Sequence, residues 1–331
     1  MFGVGIIGAG WFGSEHAKAL SSVAEARLVA VCGAKLESAQ AFAQRYGGRA
    51  FSAPEELLAD PEVDVVLIAT PHHLHADLAI QAAQRGKHIL LEKPMAPSLE
   101  ECDRILAAVH QAGVKLMLGH LSHFERPFVR AKEILQSGEL GEPVLGHSTF
   151  AKFWMEHNRR PWHLDRGTGG GMMLTAGIHG LDRLMWLIGS RVSSVAAQFG
   201  THFHAQQADD TGALFLRFTS GAAGTLSSVG YAQGAPSFAL EITATRGRLH
   251  VDPTRGVFVG RNQVWREVPD SLETQWPQKP LIAEWNSFIQ AIQNNQEPAV
   301  GGSYARHLMQ VIFSAEESSK TRREIVLEAR S

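Results

Sequence analysis

Val4-Gly5-Ile6-Ile7-Gly8-Ala9-Gly10-Trp11-Phe12-Gly13 sets a short apolar run directly against a GxGxxG turn, and residues 14–22 continue with helical spacing. A glycine-rich turn alone is usually no more than a turn. Between a strand and a helix it becomes a phosphate cradle. Gly8 allows the tight turn, Gly10 lets the backbone approach a pyrophosphate, Gly13 permits close helix packing, and the helix N-terminus favours the phosphate charge. Trp11 and Phe12 occupy the variable positions and count with the glycines as expected cofactor contacts.

The pattern then repeats. Residues 28–32 read as a second strand, ending where an Asp or Glu normally binds the ribose 2'-OH of NAD, and Gly33 stands there instead. Two unit charges about 4 Å apart interact by roughly 1 to 4 kcal/mol between water and a protein surface, so a carboxylate would penalise the 2'-phosphate of NADP. Its absence removes that penalty, and Lys35 and Ser38 are placed to contact the phosphate. NADP is the favoured cofactor, with NAD as the alternative and a solvated surface Lys35 as the plainer reading.

A helix is expected over 36–46, a short strand at 50–51 and a brief helix from Pro54. Residues 63–69 form a central strand ending in Thr70-Pro71. His72, His73 and His75 follow. They lack cysteine or carboxylate companions at ligand spacing, so a crevice edge and a helix start are expected there, and no metal. A helix over 76–85 stops at Gly86, and Ile89-Leu90-Leu91 runs as a buried strand into Glu92-Lys93-Pro94. Strands alternating with helices at this spacing imply right-handed parallel crossovers, hence an α/β doubly wound sheet. Lys93 then lies on the carboxyl edge of the sheet whose first turn would hold the pyrophosphate, which distinguishes it from an ordinary surface turn.

After a helix over 98–112 and a strand over 114–118 the pattern changes, and the boundary is expected at 119/120: a dinucleotide-binding domain over 1–119 and a second domain over 120–331. Alternating runs at 144–154, 192–199, 213–219, 224–229 and 238–245, with turns rich in Gly and Pro, imply an open, mostly antiparallel sheet in an α+β domain. Gly169-Gly170-Gly171 introduces helical spacing over 172–188, placing Thr175, His179, Asp182 and Trp186 on one face. A single helical histidine is commonly a packing residue. The triple glycine ahead of His179, able to bring a helix start close to a substrate, favours a chemical role. Core-facing helices are expected over 281–295 and 304–319.

A chain of 331 residues with 31 basic and 33 acidic side chains, net charge −2, carries no electrostatic footprint for nucleic acid or an anionic membrane. Cys32 and Cys102 fall in an expected strand and helix, so no disulfide is expected and a reducing, cytoplasmic setting fits. The N-terminus lacks a basic n-region, and no stretch approaches the roughly 18 apolar residues of a membrane span. An open antiparallel sheet asks for a cover, and self-association as a homodimer or homotetramer is the economical expectation.

The GAGxxG loop, the Thr70-Pro71 turn with His75, the Glu92-Lys93-Pro94 triplet and the triple glycine leading to His179 together resemble the Gfo/Idh/MocA family of oxidoreductases over nearly the whole chain. The resemblance implies NAD(P)-linked oxidation or reduction of a sugar, cyclitol or related diol. In that pattern Lys93 contacts the reacting oxygen and His179 is the general acid/base. Thr70, Pro71, His75 and Glu92 are assigned to the cofactor. Many family members carry Asp four residues before the histidine, and this chain has Thr175, which can hydrogen-bond a hydroxyl but adds no charge. Arg159, Arg160, Trp162, His163 and Thr175 are the expected substrate contacts, with a solvated loop as the alternative for the first four. Two rivals remain in view: nicotinamide-dependent glycoside cleavage without net redox, and a dinucleotide-sensing regulator without catalysis.

Overall fold

The computed structural model describes residues 1–157 and 159–328. The chain divides into two compact units, Met1–Phe124 with Gln275–Arg306, and Glu125–Thr274 with His307–Ser331. A single cut at 119/120 assigns 275–306 to the second domain, whereas the structure returns that segment to the first. An amphipathic helix states that it needs an apolar partner and leaves open which one, so the sequence cannot say to which core it goes.

In the first unit β1 (Phe2–Ile7), α1 (Trp11–Leu20), β2 (Ala26–Cys32), α2 (Leu36–Tyr46), β3 (Arg49–Phe51), α3 (Pro54–Ala59), β4 (Val65–Ile68), α4 (His75–Gln84), β5 (His88–Glu92), α5 (Leu99–Ala112) and β6 (Leu116–Gly119) follow in order. The strands run β3-β2-β1-β4-β5-β6, all parallel. Strand order reverses between β1 and β4, the switch point at which open α/β sheets leave a crevice. All four residues of β4 and the Ile89–Leu91 segment of β5 have no solvent exposure. Only their carboxyl ends reach polar surroundings. Helix signals act as expected: the Ser98 hydroxyl accepts from the Glu101 N–H at 3.3 Å to open α5, and Gly113 closes it at φ +66°.

The second unit holds α6 (Arg126–Gln136), β7 (Pro143–Phe153), α7 (Ile178–Ile188), β8 (Val192–Gly200), β9 (Thr211–Phe218), β10 (Ala223–Tyr231), β11 (Leu240–Ala244), β12 (Gly247–Asp252), β13 (Gly256–Arg261), β14 (Val264–Glu267) and β15 (Ile325–Val326). They form one sheet in the order β14-β13-β12-β11-β7-β10-β9-β8-β15, in which only β7 and β10 pair in parallel. β12 to β14 extend the expected sheet. β14 is exposed along its whole length, so it carries no buried-face alternation to read. No helix among the described residues is long and apolar enough to cross a membrane.

The segment that rejoins the first unit contains α8 (Gln278–Gln293), and α9 (Gly302–Thr321) ends the helical part of the chain. α8 packs on α1, with Leu281, Trp285 and Phe288 fully buried. The Trp285 indole meets the His16 ring edge-on at 5.9 Å and 88°. Truncating a buried Trp typically costs about 3–5 kcal/mol. Trp285→Ala is therefore expected to lower the unfolding free energy read from denaturant melts by that much, with the dinucleotide unit losing cooperativity first. A loss under about 1 kcal/mol would show that α8 is not part of this core.

Candidate functional site

The glycine turn is built for a ligand. Gly8 has φ +121°, and a Cβ there would lie 2.2 Å from the Ala69 carbonyl oxygen. A Cβ on Gly13 would lie 2.1 Å from the Gly8 carbonyl oxygen, so the turn closes tightly on itself. Gly10 is the opposite case: nothing stands within 4 Å of its added Cβ. α1 starts at Gly10 with no side-chain cap and no acidic residue in its first turn, leaving the positive end of the helix uncompensated beside that open face. Trp11 is exposed and Phe12 half-buried at the rim. Behind the neighbouring turn, the buried Thr70 hydroxyl has no protein partner. These residues fit a dinucleotide: a pyrophosphate at Gly8–Gly13 and a polar group at Thr70.

At the end of β2, Gly33 is buried and a Cβ there would meet the Ser38 hydroxyl at 2.4 Å. No carboxylate stands at Gly33. Lys35 is the exposed N-cap of α2, whose first turn carries Glu37. The Ser38 hydroxyl donates to the Lys35 carbonyl at 2.7 Å, so its proton is already engaged and Lys35 is the freer donor for a 2'-phosphate.

Lys93 is half-buried at the carboxyl edge, one residue beyond β5. The flanking residues are tied inward. Glu92 is buried and its carboxylate accepts from His16 Nε2 at 3.1 Å. The Trp285 indole donates to His16 Nδ1 at 3.0 Å. An indole N–H can only donate, so Nδ1 is an acceptor and the proton of neutral His16 sits on Nε2, facing Glu92. On the other side, Pro94 presents its carbonyl to His75 Nδ1 at 2.8 Å, while His75 Nε2 lies 3.0 Å from the Thr70 carbonyl. Glu92 and His75, both expected to contact the cofactor, are each hydrogen-bonded within the protein. Among the described residues no cluster of His, Cys, Asp or Glu suits a metal.

Glu284 was missed by sequence reasoning. It has no solvent exposure, and neither carboxyl oxygen has a hydrogen-bond partner. Burial, then the charge of Glu92, push its pKa well above the usual carboxylate range. A glutamate in the apolar stripe beside Leu281, Trp285 and Phe288 was the available signal.

In the second unit the triple glycine has a different use from the one expected. The Gly170 N–H donates to the Asp165 carbonyl at 2.9 Å, Gly171 to His163 at 2.8 Å and Met172 to Asp209 at 2.9 Å. Asp209 Oδ2 then accepts from the Met173 N–H at 2.8 Å, so the helix start is closed by protein and not offered to a ligand. Burial pushes the Asp209 carboxyl up to about 7 despite that bond. Residues Met173–Gly177 form a π-helical turn, with the Ile178 N–H reaching the Met173 carbonyl. The wider turn shifts the register assumed for one continuous α-helix over 172–188. His179 is half-buried and stacks on Phe150, ring centroids 5.7 Å apart at 24°. Thr175 is half-buried one turn earlier.

The expected substrate loop is partly committed. The Arg159 guanidinium lies over the Trp154 ring at 3.9 Å and donates to the Trp154 carbonyl at 2.6 Å and to Glu156 at 2.9 Å. It packs the loop and does not project from it. Arg160 is exposed, and the Trp162 and His163 rings stack at 3.6 Å.

Comparison with known proteins follows this geometry. Residues 2–120 match the oxidoreductase family with an NAD-binding Rossmann fold, and residues 128–250 match the GFO/IDH/MocA C-terminal domain. The chain is 27% identical over 336 residues to myo-inositol 2-dehydrogenase of Thermotoga maritima, covering 98% of each protein. It is 30% identical over 256 residues to 2,7-anhydro-N-acetylneuraminate hydratase of Escherichia coli, covering 76% of this chain and 68% of that one. Among solved structures, levoglucosan dehydrogenase in complex with NADH and levoglucosan superposes with a TM-score of 0.91 at 24% identity, over 99% of this chain and 100% of that one. That likeness concerns the fold.

The Glu284 carboxyl makes a pH prediction. An unfolded glutamate ionises near pH 4.3, whereas folded Glu284 holds its proton to higher pH. The unfolded state therefore binds fewer protons above that point, and the stability contributed by protonated Glu284 is lost as pH rises toward its folded pKa, by at most about 1.4 kcal/mol per pH unit. Glu284→Gln is neutral at every pH and should flatten that fall in denaturant melts at pH 5 to 8. Equal slopes in both proteins would mean that Glu284 is ionised in the fold.

Proposed function

The chain belongs to the GFO/IDH/MocA oxidoreductase family, and within it we propose an NAD(P)-dependent dehydrogenase or reductase, preferring NADP, that acts on a sugar, cyclitol or related cyclic diol. The observation that carries this reading is the placement of Lys93 on the same carboxyl edge as the Gly8–Gly13 cradle, with β4 between β5 and β1.

The bound nicotinamide supplies hydride acceptance or donation. The backbone of Gly8 to Gly13 and the N-terminus of α1 hold the pyrophosphate. Lys93, as an ammonium, donates to the oxygen on the reacting carbon and favours the alkoxide or polarised carbonyl. His179 takes the hydroxyl proton during oxidation and returns it during reduction. Thr175 offers a hydroxyl to the substrate where many relatives present a carboxylate. Lys35 and the missing carboxylate at Gly33 admit the NADP 2'-phosphate. The hydratase among the relatives favours one second reading, in which the nicotinamide ends each cycle as it began and no net redox occurs. Self-association across the open sheet and a cytoplasmic setting belong to the same proposal.

The test is titration with NADP(H) and NAD(H), then a panel of myo-inositol, levoglucosan, glucose and dihydrodiols followed at 340 nm and by product analysis. Lys93→Ala and His179→Ala should each lose about 100- to 10,000-fold in kcat while still binding NADPH, and full turnover by Lys93→Ala would sink the mechanism. Lys35→Ala should lower the NADP-to-NAD ratio of kcat/KM by about tenfold, the equivalent of 1.4 kcal/mol. Product formation with no change at 340 nm selects the non-redox reading.

A further inference from the structure

We propose that His75 is a positioning residue for Lys93, a buried strut that holds the Lys93-Pro94 turn against the Thr70-Pro71 turn. The inference rests on the catalytic reading of Lys93. His75 is the first residue of α4, yet its ring has no solvent exposure and turns back across the carboxyl ends of β4 and β5. Nδ1 reaches the Pro94 carbonyl at 2.8 Å and Nε2 the Thr70 carbonyl at 3.0 Å. Those two carbonyls belong to the turns that leave neighbouring strands, past the end of the β4–β5 ladder at Ile68 and Leu91. Beyond that point the ladder no longer fixes their spacing.

The residue type suits the task. Pro94 has no N–H to offer, so its carbonyl is the main-chain group by which this turn can be held. Imidazole carries nitrogens on two edges of a rigid ring, and one lies within hydrogen-bond distance of each carbonyl. A lysine or arginine would bring a permanent charge into a site with no exposure. Neutral His75 donates to one carbonyl; the imidazolium donates to both. Burial lowers its affinity for a proton, against the opposing pull of the two carbonyls and of Glu92, with Lys93 adding to the lowering. At least one donated bond is available in either state. Together with the His16–Glu92 bond at 3.1 Å, the strut fixes the residues on each side of Lys93. Misplacing a reacting group by about 1 Å can cost on the order of 100-fold in rate.

Two amide replacements separate this role from plain packing. The Asn amide nitrogen falls near the imidazole Nδ1 position and can still donate to Pro94; the Gln amide nitrogen falls near Nε2, toward Thr70. His75→Asn, His75→Gln and His75→Ala are compared for NADPH Kd, kcat and KM, using the panel compound that the unaltered protein turns over fastest. Denaturant midpoints verify folding, and the two amide variants carry the test if His75→Ala does not fold. The expected result is an NADPH Kd within about threefold across the folded variants, and a kcat at least tenfold higher for His75→Asn than for His75→Gln. Equal kcat in the two amide variants, or a loss confined to Kd as a direct cofactor contact would give, overturns the strut. Lys93→Ala is measured in parallel: if it keeps full turnover, the catalytic reading and the strut fall together. If it loses turnover while the His75 variants match the unaltered protein, only the strut falls.

Discussion

A parallel sheet buried on both faces leaves one edge where polar side chains meet a ligand without entering the core: the carboxyl ends of its strands. In the first unit the turn at Gly8, the Thr70 hydroxyl and Lys93 all lie along that edge, after β1, β4 and β5. The same geometry creates a problem. Ladder hydrogen bonds that hold β5 against β6 stop at Glu92 and Gly119, one residue short of Lys93, and a lysine side chain has four rotatable bonds to order. Side chains continue where the ladder ends. His16 holds Glu92 from α1, and His75 holds Pro94 from α4. Precision at Lys93 is thus inherited from helices packed on the sheet.

The two units use glycine in opposite ways. At Gly10 the space that a side chain would fill is left empty, and the start of α1 is uncapped. At Gly171 that space is taken by the Asp209 carboxylate, 2.2 Å from where a Cβ would stand. The first arrangement presents a helix end to an anion. The second seals a helix end with the protein's own carboxyl group and fixes where the following residues emerge. The ring plane of His179 is then set by stacking on Phe150, which itself meets Phe238 edge-on at 4.9 Å. Packing against Phe150 contributes to how this histidine is oriented.

Much of this was legible in the sequence because it is local. The GxGxxG turn, the glycine stop after α4 and the run of Leu90 and Leu91 into Lys93 depend on residues within a few positions of one another, and the structure places them as expected. What was not legible depends on distance. Thr70 and Pro94 meet through a ring at position 75 only once β4 and β5 lie side by side. Arg159 reads as a free cation until Trp154 is seen beneath it. α8 carries a clear apolar stripe but no mark of which core receives it. The expected α-helix over 172–188 missed the π turn because Met173 to Gly177 have no composition that distinguishes i+5 from i+4 bonding.

The charge behind Lys93 illustrates how such distant contacts decide chemistry. Trp285 can only donate, so His16 must accept at Nδ1 and carry its proton on Nε2. Glu92 Oε1 faces that proton at 3.1 Å. With one carboxylate already buried, ionising Glu284 as well would add a second like charge without a hydrogen-bond partner, a cost that buried groups avoid by keeping the proton. Glu284 therefore keeps its proton beside Glu92. The hydrogen-bond chain beneath the edge of the sheet thus begins at an indole on a helix that the chain adds only near its end.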